Sequence, residues 1–73
     1  MKPETVTMSA KVCGVQRGLL HVCEEGTKQE VLVHYDQACC FREGDRICIH
    51  YNGVMTRSMP PQIRAVQIAR VHC

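Results

Sequence analysis

Val6-Thr7-Met8-Ser9-Ala10-Lys11-Val12-Cys13 places an apolar side chain at every second position. Val6, Met8, Ala10 and Val12 share one side, and Thr7, Ser9, Lys11 and Cys13 the other. A repeat of two is the signature of a half-buried strand, not of a helix. Downstream, Gly14 and Gly18 bracket a predicted turn, Val15-Gln16-Arg17-Gly18. The second run is Leu19 to Glu24 and the third is Gln29 to Tyr35. Between them Glu25-Gly26-Thr27-Lys28 reads as a tight hairpin, with glycine tolerating the positive φ such turns require.

The segment from Asp36 to Gly44 breaks the alternation. Asp36 is expected to cap a single helical turn through Gln37-Ala38-Cys39-Cys40. Glu43-Gly44-Asp45 then turns the chain into a fourth strand, Arg46 to Asn52, in which Ile47, Ile49 and Tyr51 alternate with Cys48, His50 and Asn52. Asn52-Gly53 marks another turn. Pro60-Pro61 offers no N–H to a ladder, so Met55 to Pro61 reads as a loop or edge passage. A fifth strand runs from Gln62 to Val71.

Three strands, a short connector and two more strands predict an all-β chain, a minimal five-stranded OB-type barrel with one short helical turn between strands three and four. An SH3-like barrel is the rival, and the position of the connector favours the OB order. The 73 residues form a single domain, 1–73, with no internal repeat. A chain of this size buries only about 60% of its unfolded surface. It cannot also enclose a cleft of the roughly 300 Å³ or more that small-molecule sites use. Any site is expected on a face, in a shallow groove or at an interface.

The stretch from Phe41 to Ile68 carries Phe41-x-x-Gly44-Asp45-x-Ile47, then Tyr51-x-Gly53, then Met55-x-x-Ser58-x-Pro60-x-Gln62-x-x-Ala65. This resembles the small YobA-like domains of Gram-positive bacteria, which show a Gly-Asp, Tyr-x-Gly, Ser-x-Pro progression in their second half. The resemblance implies an OB-type barrel and a bacterial source. It implies no active site.

Nine Lys/Arg against seven Asp/Glu give a formal net charge of +2, a weak basic bias. Lys11, Arg17, Lys28, Arg42, Arg46, Arg57, Arg64 and Arg70 are scattered among Glu24, Glu25, Glu30, Asp36, Glu43 and Asp45, not gathered into a stripe. Met1-Lys2-Pro3-Glu4-Thr5 has an early acid and no apolar leader run. No run approaches the roughly 20 apolar residues of a membrane span. The expected compartment is the cytoplasm. There the six cysteines, Cys13, Cys23, Cys39, Cys40, Cys48 and Cys73, are expected as thiols. In a secreted chain the same even count would instead suggest a disulfide framework.

Strand parity gives the candidate sites. With Val12 and Val22 facing the core and Val15 paired with Leu19, Cys13 falls opposite His21, and Cys23 shares that outward side. With Val31, Val33 and Tyr35 inward, Glu30, Leu32 and His34 point outward. Cys13, His21, Cys23 and His34 then share one outer face and form a candidate zinc site, since thiolate and imidazole are the preferred ligands of that ion. Against this, cysteine also serves as a small, soft strand residue. Cys48 and His50 form a second outward pair. Cys39-Cys40, beside Arg42, is a candidate reactive thiol pair, and Cys73 an incidental terminal thiol.

The OB outer face and the loops joining strands one to two and four to five commonly bind oligomers. Here the binding-face residues are Lys11, Arg17, Leu32, Arg57 and Ser58. Single-strand binders stack bases on aromatic rings. This chain has only Tyr35, Phe41 and Tyr51, with both tyrosines expected inward and Phe41 expected to plug the barrel base. Met8, Met55 and Met59 read as core filler and loop anchors, and Pro60-Pro61 as a rigid turn. No catalytic set is visible. The leading expectation is a non-enzymatic binding module for a protein partner or a second copy of the chain, without a cofactor. A Cys/His metal-binding protein and a weak single-stranded nucleic-acid binder are the alternatives.

Overall fold

The computed structural model describes residues 5–71. Five strands, β1 (Val6–Gln16), β2 (Leu19–Glu24), β3 (Glu30–His34), β4 (Arg46–Tyr51) and β5 (Gln62–Arg70), close into a barrel in the order β1-β2-β3-β5-β4. A single 3-10 turn, Ala38–Cys40, lies between β3 and β4. The expected all-β, five-stranded barrel with one short helical turn is the architecture found. All neighbours pair antiparallel except β3 and β5, which run parallel over three residue pairs, Leu32↔Gln62, Val33↔Ile63 and His34↔Arg64.

The long β1 serves two neighbours. Its first half pairs with β4, from Val6↔Tyr51 to Lys11↔Arg46. Its second half pairs with β2, from Ala10↔Glu24 to Gln16↔Leu19. The strand therefore continues past Gly14 through Val15 and Gln16, the first two residues of the turn predicted from the glycine spacing. The turn is only Arg17-Gly18, with Gly18 at φ 70°. A two-residue turn fixes the closing pair as Gln16↔Leu19 and hence Val15↔Leu20, not Val15↔Leu19. The expected pair Val12↔Val22 is nonetheless present, because a bulge between Val12 and Gly14 absorbs the extra residue. Gly14, not Cys13, sits opposite His21.

Two smaller expectations are also corrected. In the β2–β3 hairpin the positive φ falls on Lys28, at 62°, and not on Gly26. The loop closes through Lys28 N–H to the Glu24 carbonyl (2.9 Å) and Glu24 N–H to the Gln29 carbonyl (2.9 Å), which puts its last residue in the left-handed region. Asp36 does not cap the helical turn. Gln37 holds the N-cap position without a side-chain bond, and backbone bonds from Ala38 N–H to Tyr35 and from Cys40 N–H to Gln37 shape the turn.

The interior is filled from every strand. Met8, Ala10 and Val12 of β1, Leu20 and Val22, Val31 and Val33, Ile47, Ile49 and Tyr51, and Ile63 and Ile68 are buried, together with Ala38 and Phe41 of the β3–β4 connector. Phe41 is buried in this cluster. Tyr51 is buried, whereas Tyr35 is half-buried and packs on the core's margin. On β5 a second irregularity, where His50↔Gln67 gives way to Tyr51↔Ala65, leaves Val66 unpaired and exposed. That shift lets Ile63 and Ile68, of opposite parity, both reach the interior.

Ion pairs tie the ends of elements together. Arg46 donates to the Glu25 carboxylate through Nε (3.0 Å) and Nη2 (3.1 Å). Asp45 Oδ2 accepts the Arg42 backbone N–H (3.0 Å) and the Arg70 Nε (3.3 Å). The Arg42 amide, with the Arg70 guanidinium second, holds the Asp45 carboxyl below its usual range. These groups are exposed, so each pair contributes little to stability.

Two measurements check this packing. Ile49 is fully buried, and Ile49→Ala is expected to cost about 2–5 kcal/mol in urea denaturation. The total for a chain of this length is roughly 4–11 kcal/mol. A loss below about 1 kcal/mol would contradict the placement of Ile49. Lys28→Gly is expected to raise stability by about 0.5 kcal/mol or more, because glycine relieves the left-handed strain of an L-residue. A decrease would mean that Lys28 is not left-handed.

Candidate binding face and thiol pair

The outer face of β2 and β3 is built from three ladder pairs: Leu19↔His34, His21↔Leu32 and Cys23↔Glu30. Inward neighbours Leu20, Val22, Val31 and Val33 are sealed in the core, so alternation forces these six side chains outward. Leu19, His21, Cys23 and Leu32 are only half-exposed, since they cover one another on the sheet. Glu30 and His34 stand clear at the margins. The face continues onto the start of β5, where His34 Nε2 and Gln62 Oε1 lie 2.7 Å apart.

The bulge on β1 sets the second feature. Cys13 is its extra residue, and its Sγ lies 3.0 Å from Cys23 Sγ. The Cys13 thiol also points to the Lys11 carbonyl at 3.8 Å. Its hydrogen bond with Cys23 raises the Cys13 pKa above the ordinary thiol range. Desolvation and the negative charge on Cys23 and Glu30 add to the rise, and Lys11 partly offsets it. Cys13 and His21 border one shallow hollow, which Phe41, Arg42 and Glu43 also line.

The four candidate zinc ligands share the outward side as parity predicted. The structure brings two of them, Cys13 and Cys23, into contact, while His34 engages Gln62. Among the described residues no three of His, Cys, Asp and Glu gather closely enough to hold a metal ion. Cys48 and His50 point outward on β4, between Ser9 and Ala69 and between Thr7 and Gln67. Cys39 and Cys40 are exposed, and the Cys40 carbonyl accepts a bond from Arg70 Nη2. Cys73 lies outside the described residues.

Of the binding-face residues, Leu32 lies on the face itself and its N–H donates to the Pro61 carbonyl at 2.9 Å. Lys11 is exposed on β1, flanked in the ladders by Cys23 and Arg46. Arg17 occupies the β1–β2 turn. Arg57 and Ser58 belong to the loop between β4 and β5. Ser58 is occupied in holding that loop: its Oγ donates to the Pro60 carbonyl (2.8 Å) and lies 2.6 Å from Thr56 Oγ1. Thr56 in turn is bonded twice to the Gln62 backbone. Leu19 and Gln62 are face residues that sequence reasoning left out. Leu19 was detectable, because it shares the parity of His21 and Cys23. Gln62 was not, because its place beside His34 depends on the β3–β5 pairing.

No phenylalanine or tyrosine ring lies on this face. Tyr51 and Phe41 are buried, and Tyr35 packs 6.3 Å from Phe41, whose ring is also covered by the Arg70 guanidinium at 5.4 Å. No helix among the described residues is long and apolar enough to cross a membrane. No family model, no curated protein and no solved structure matches the chain.

The thiol contact has a direct chemical readout. A thiol reacts with an alkylating agent only as thiolate. Cys13, holding its proton through Cys23, is therefore expected to react with iodoacetamide at pH 8 more slowly than a cysteine in an unstructured peptide. Cys23→Ala is expected to speed Cys13 labelling several-fold, as followed by peptide mass analysis. Equal rates in the two proteins would mean that the Sγ–Sγ contact is not formed.

Proposed function

We propose that the chain is a non-enzymatic protein-binding module on an OB-type barrel, acting in the cytoplasm, with the outer face of β2 and β3 as its docking surface. The observation that carries the reading is the half-exposed pair Leu19 and Leu32, diagonal neighbours across adjacent ladder pairs among His21, Cys23 and His34 on a regular sheet. Apolar side chains at the centre of a polar margin are the usual composition of a protein interface. The strand order β1-β2-β3-β5-β4 and the loops flanking this face fit the OB type, as does the likeness of the second half to YobA-like domains. A thiol-rich chain suits a reducing compartment.

The neighbouring chemistry argues in the same direction. A face without phenylalanine, tyrosine or tryptophan lacks the usual stacking platform on which single-strand binders rely.

Leu32→Glu tests the reading, because the change lies outside the core and introduces a charge at the centre of the face. The wild-type chain is expected either to self-associate in a sedimentation concentration series or to retain a polypeptide from cell lysate. In either case Leu32→Glu should weaken the association at least about tenfold, equivalent to about 1.4 kcal/mol, with an unchanged melting temperature. A strictly monomeric wild type that retains no Leu32-dependent polypeptide removes the proposal.

A further inference from the structure

The structure assigns Cys13 and Cys23 as a dithiol–disulfide couple, a site of reversible modification by low-molecular-weight disulfides such as oxidised glutathione. The inference does not rest on the docking role of the face. It rests on how the backbone brings the two sulfurs together. In a regular ladder with Lys11 opposite Cys23, Cys13 would stand opposite His21, two pairs nearer the turn. The bulge puts Gly14 in that place instead and leaves Cys13 as the extra residue. Its side chain then leans back along β1 to within 3.0 Å of Cys23 Sγ. A disulfide bond measures about 2.05 Å, so about 1 Å of sulfur movement joins them. Both side chains leave the outward side of the sheet, and the sealed core beneath, Val12 and Val22, need not move.

Access divides the roles. Cys13 is exposed and Cys23 half-exposed. A soluble disulfide reaches Cys13 first. The Cys13 thiolate attacks one sulfur of oxidised glutathione, whose S–S bond breaks, and one glutathione leaves as thiol after taking a proton. Cys23 then loses its proton and attacks the Cys13 sulfur of the mixed disulfide. That bond breaks, the Cys13–Cys23 bond forms, and the second glutathione leaves as thiol. Two electrons pass from the protein dithiol to glutathione disulfide, and excess reduced glutathione reverses the sequence. The new bond closes a short loop containing the Arg17-Gly18 turn, so the oxidised form is expected to melt several degrees higher.

The test equilibrates the reduced full chain with graded ratios of reduced and oxidised glutathione, quenches it in acid, and reads intact mass and disulfide-linked tryptic peptides. Cleavage after Lys11, Arg17 and Lys28 puts Cys13 on residues 12–17 and Cys23 on residues 18–28, each as that peptide's single cysteine. The expected product is about 2 Da lighter than the reduced chain, carries no glutathione, and yields these two peptides joined. Cys39, Cys40, Cys48 and Cys73 should label as free thiols. In Cys13→Ser and Cys23→Ser the lighter species should vanish, with a glutathione adduct on the remaining member of the pair. Oxidation that leaves wild-type Cys13 as a stable glutathione adduct, or that links other cysteines while the peptides 12–17 and 18–28 stay separate, overturns the assignment.

Discussion

The barrel depends on one strand serving two partners at once. β1 lends Val6 to Lys11 to β4 and Ala10 to Gln16 to β2, so Ala10 and Lys11 are paired on both sides. A straight strand cannot hold two neighbours that diverge around a closed sheet. It must bend, and the bulge at Cys13 supplies an extra residue and added local twist at the place where β4 leaves and β2 continues. Beyond that point the free edge of β1 is met by the connector. Val12 N–H donates to the Asp45 carbonyl and Gly44 N–H to the Val12 carbonyl, both at 2.8 Å. Asp45 then fastens the connector to Arg42 and Arg70.

The same bulge that permits closure determines the chemistry outside. Because it changes which side chain stands opposite His21, a glycine faces that imidazole and the displaced cysteine turns to Cys23. Closure of the sheet and contact of the sulfurs are two results of one inserted residue. The adjoining face inherits its rigidity from the core directly behind it, where Leu20, Val22 and Val33 have no exposed surface. A surface held in this way loses little freedom when a partner covers it, which lowers the entropic cost of association.

Strand number, element order and inward residues were legible because burial enforces alternation. Val12, Val22, Val31, Val33, Ile47 and Ile49 could face only one way. What parity could not deliver was each place where the chain skips a step. Yet both skips leave a trace: apolar inward positions spaced by two at Met8, Ala10 and Val12 jump by three to Val15, and Ile63 and Ala65 jump by three to Ile68. Each jump marks a bulge. The Gly14–Gly18 bracket was misleading, since Gly14 belongs to the irregular strand and Gly18 to the turn. The outward set of Cys13, His21, Cys23 and His34 was readable, but not its division into a sulfur contact and a His34–Gln62 pair. That division depends on the bulge and on a β3–β5 pairing thirty positions apart in sequence.

The parallel contact of β3 with β5 is only three pairs long, and Pro61 limits it, offering a carbonyl to Leu32 but no N–H to extend the ladder. Every other strand pair in the barrel is longer. This joint is therefore the latch of the cylinder. It joins parts of the chain thirty positions apart through the fewest pairs in the barrel, so the loop-closure entropy it must overcome is offset by the least pairing, and it opens early. Breathing of the native protein should begin there, uncurling the cylinder into a sheet with β3 and β5 as its momentary edges.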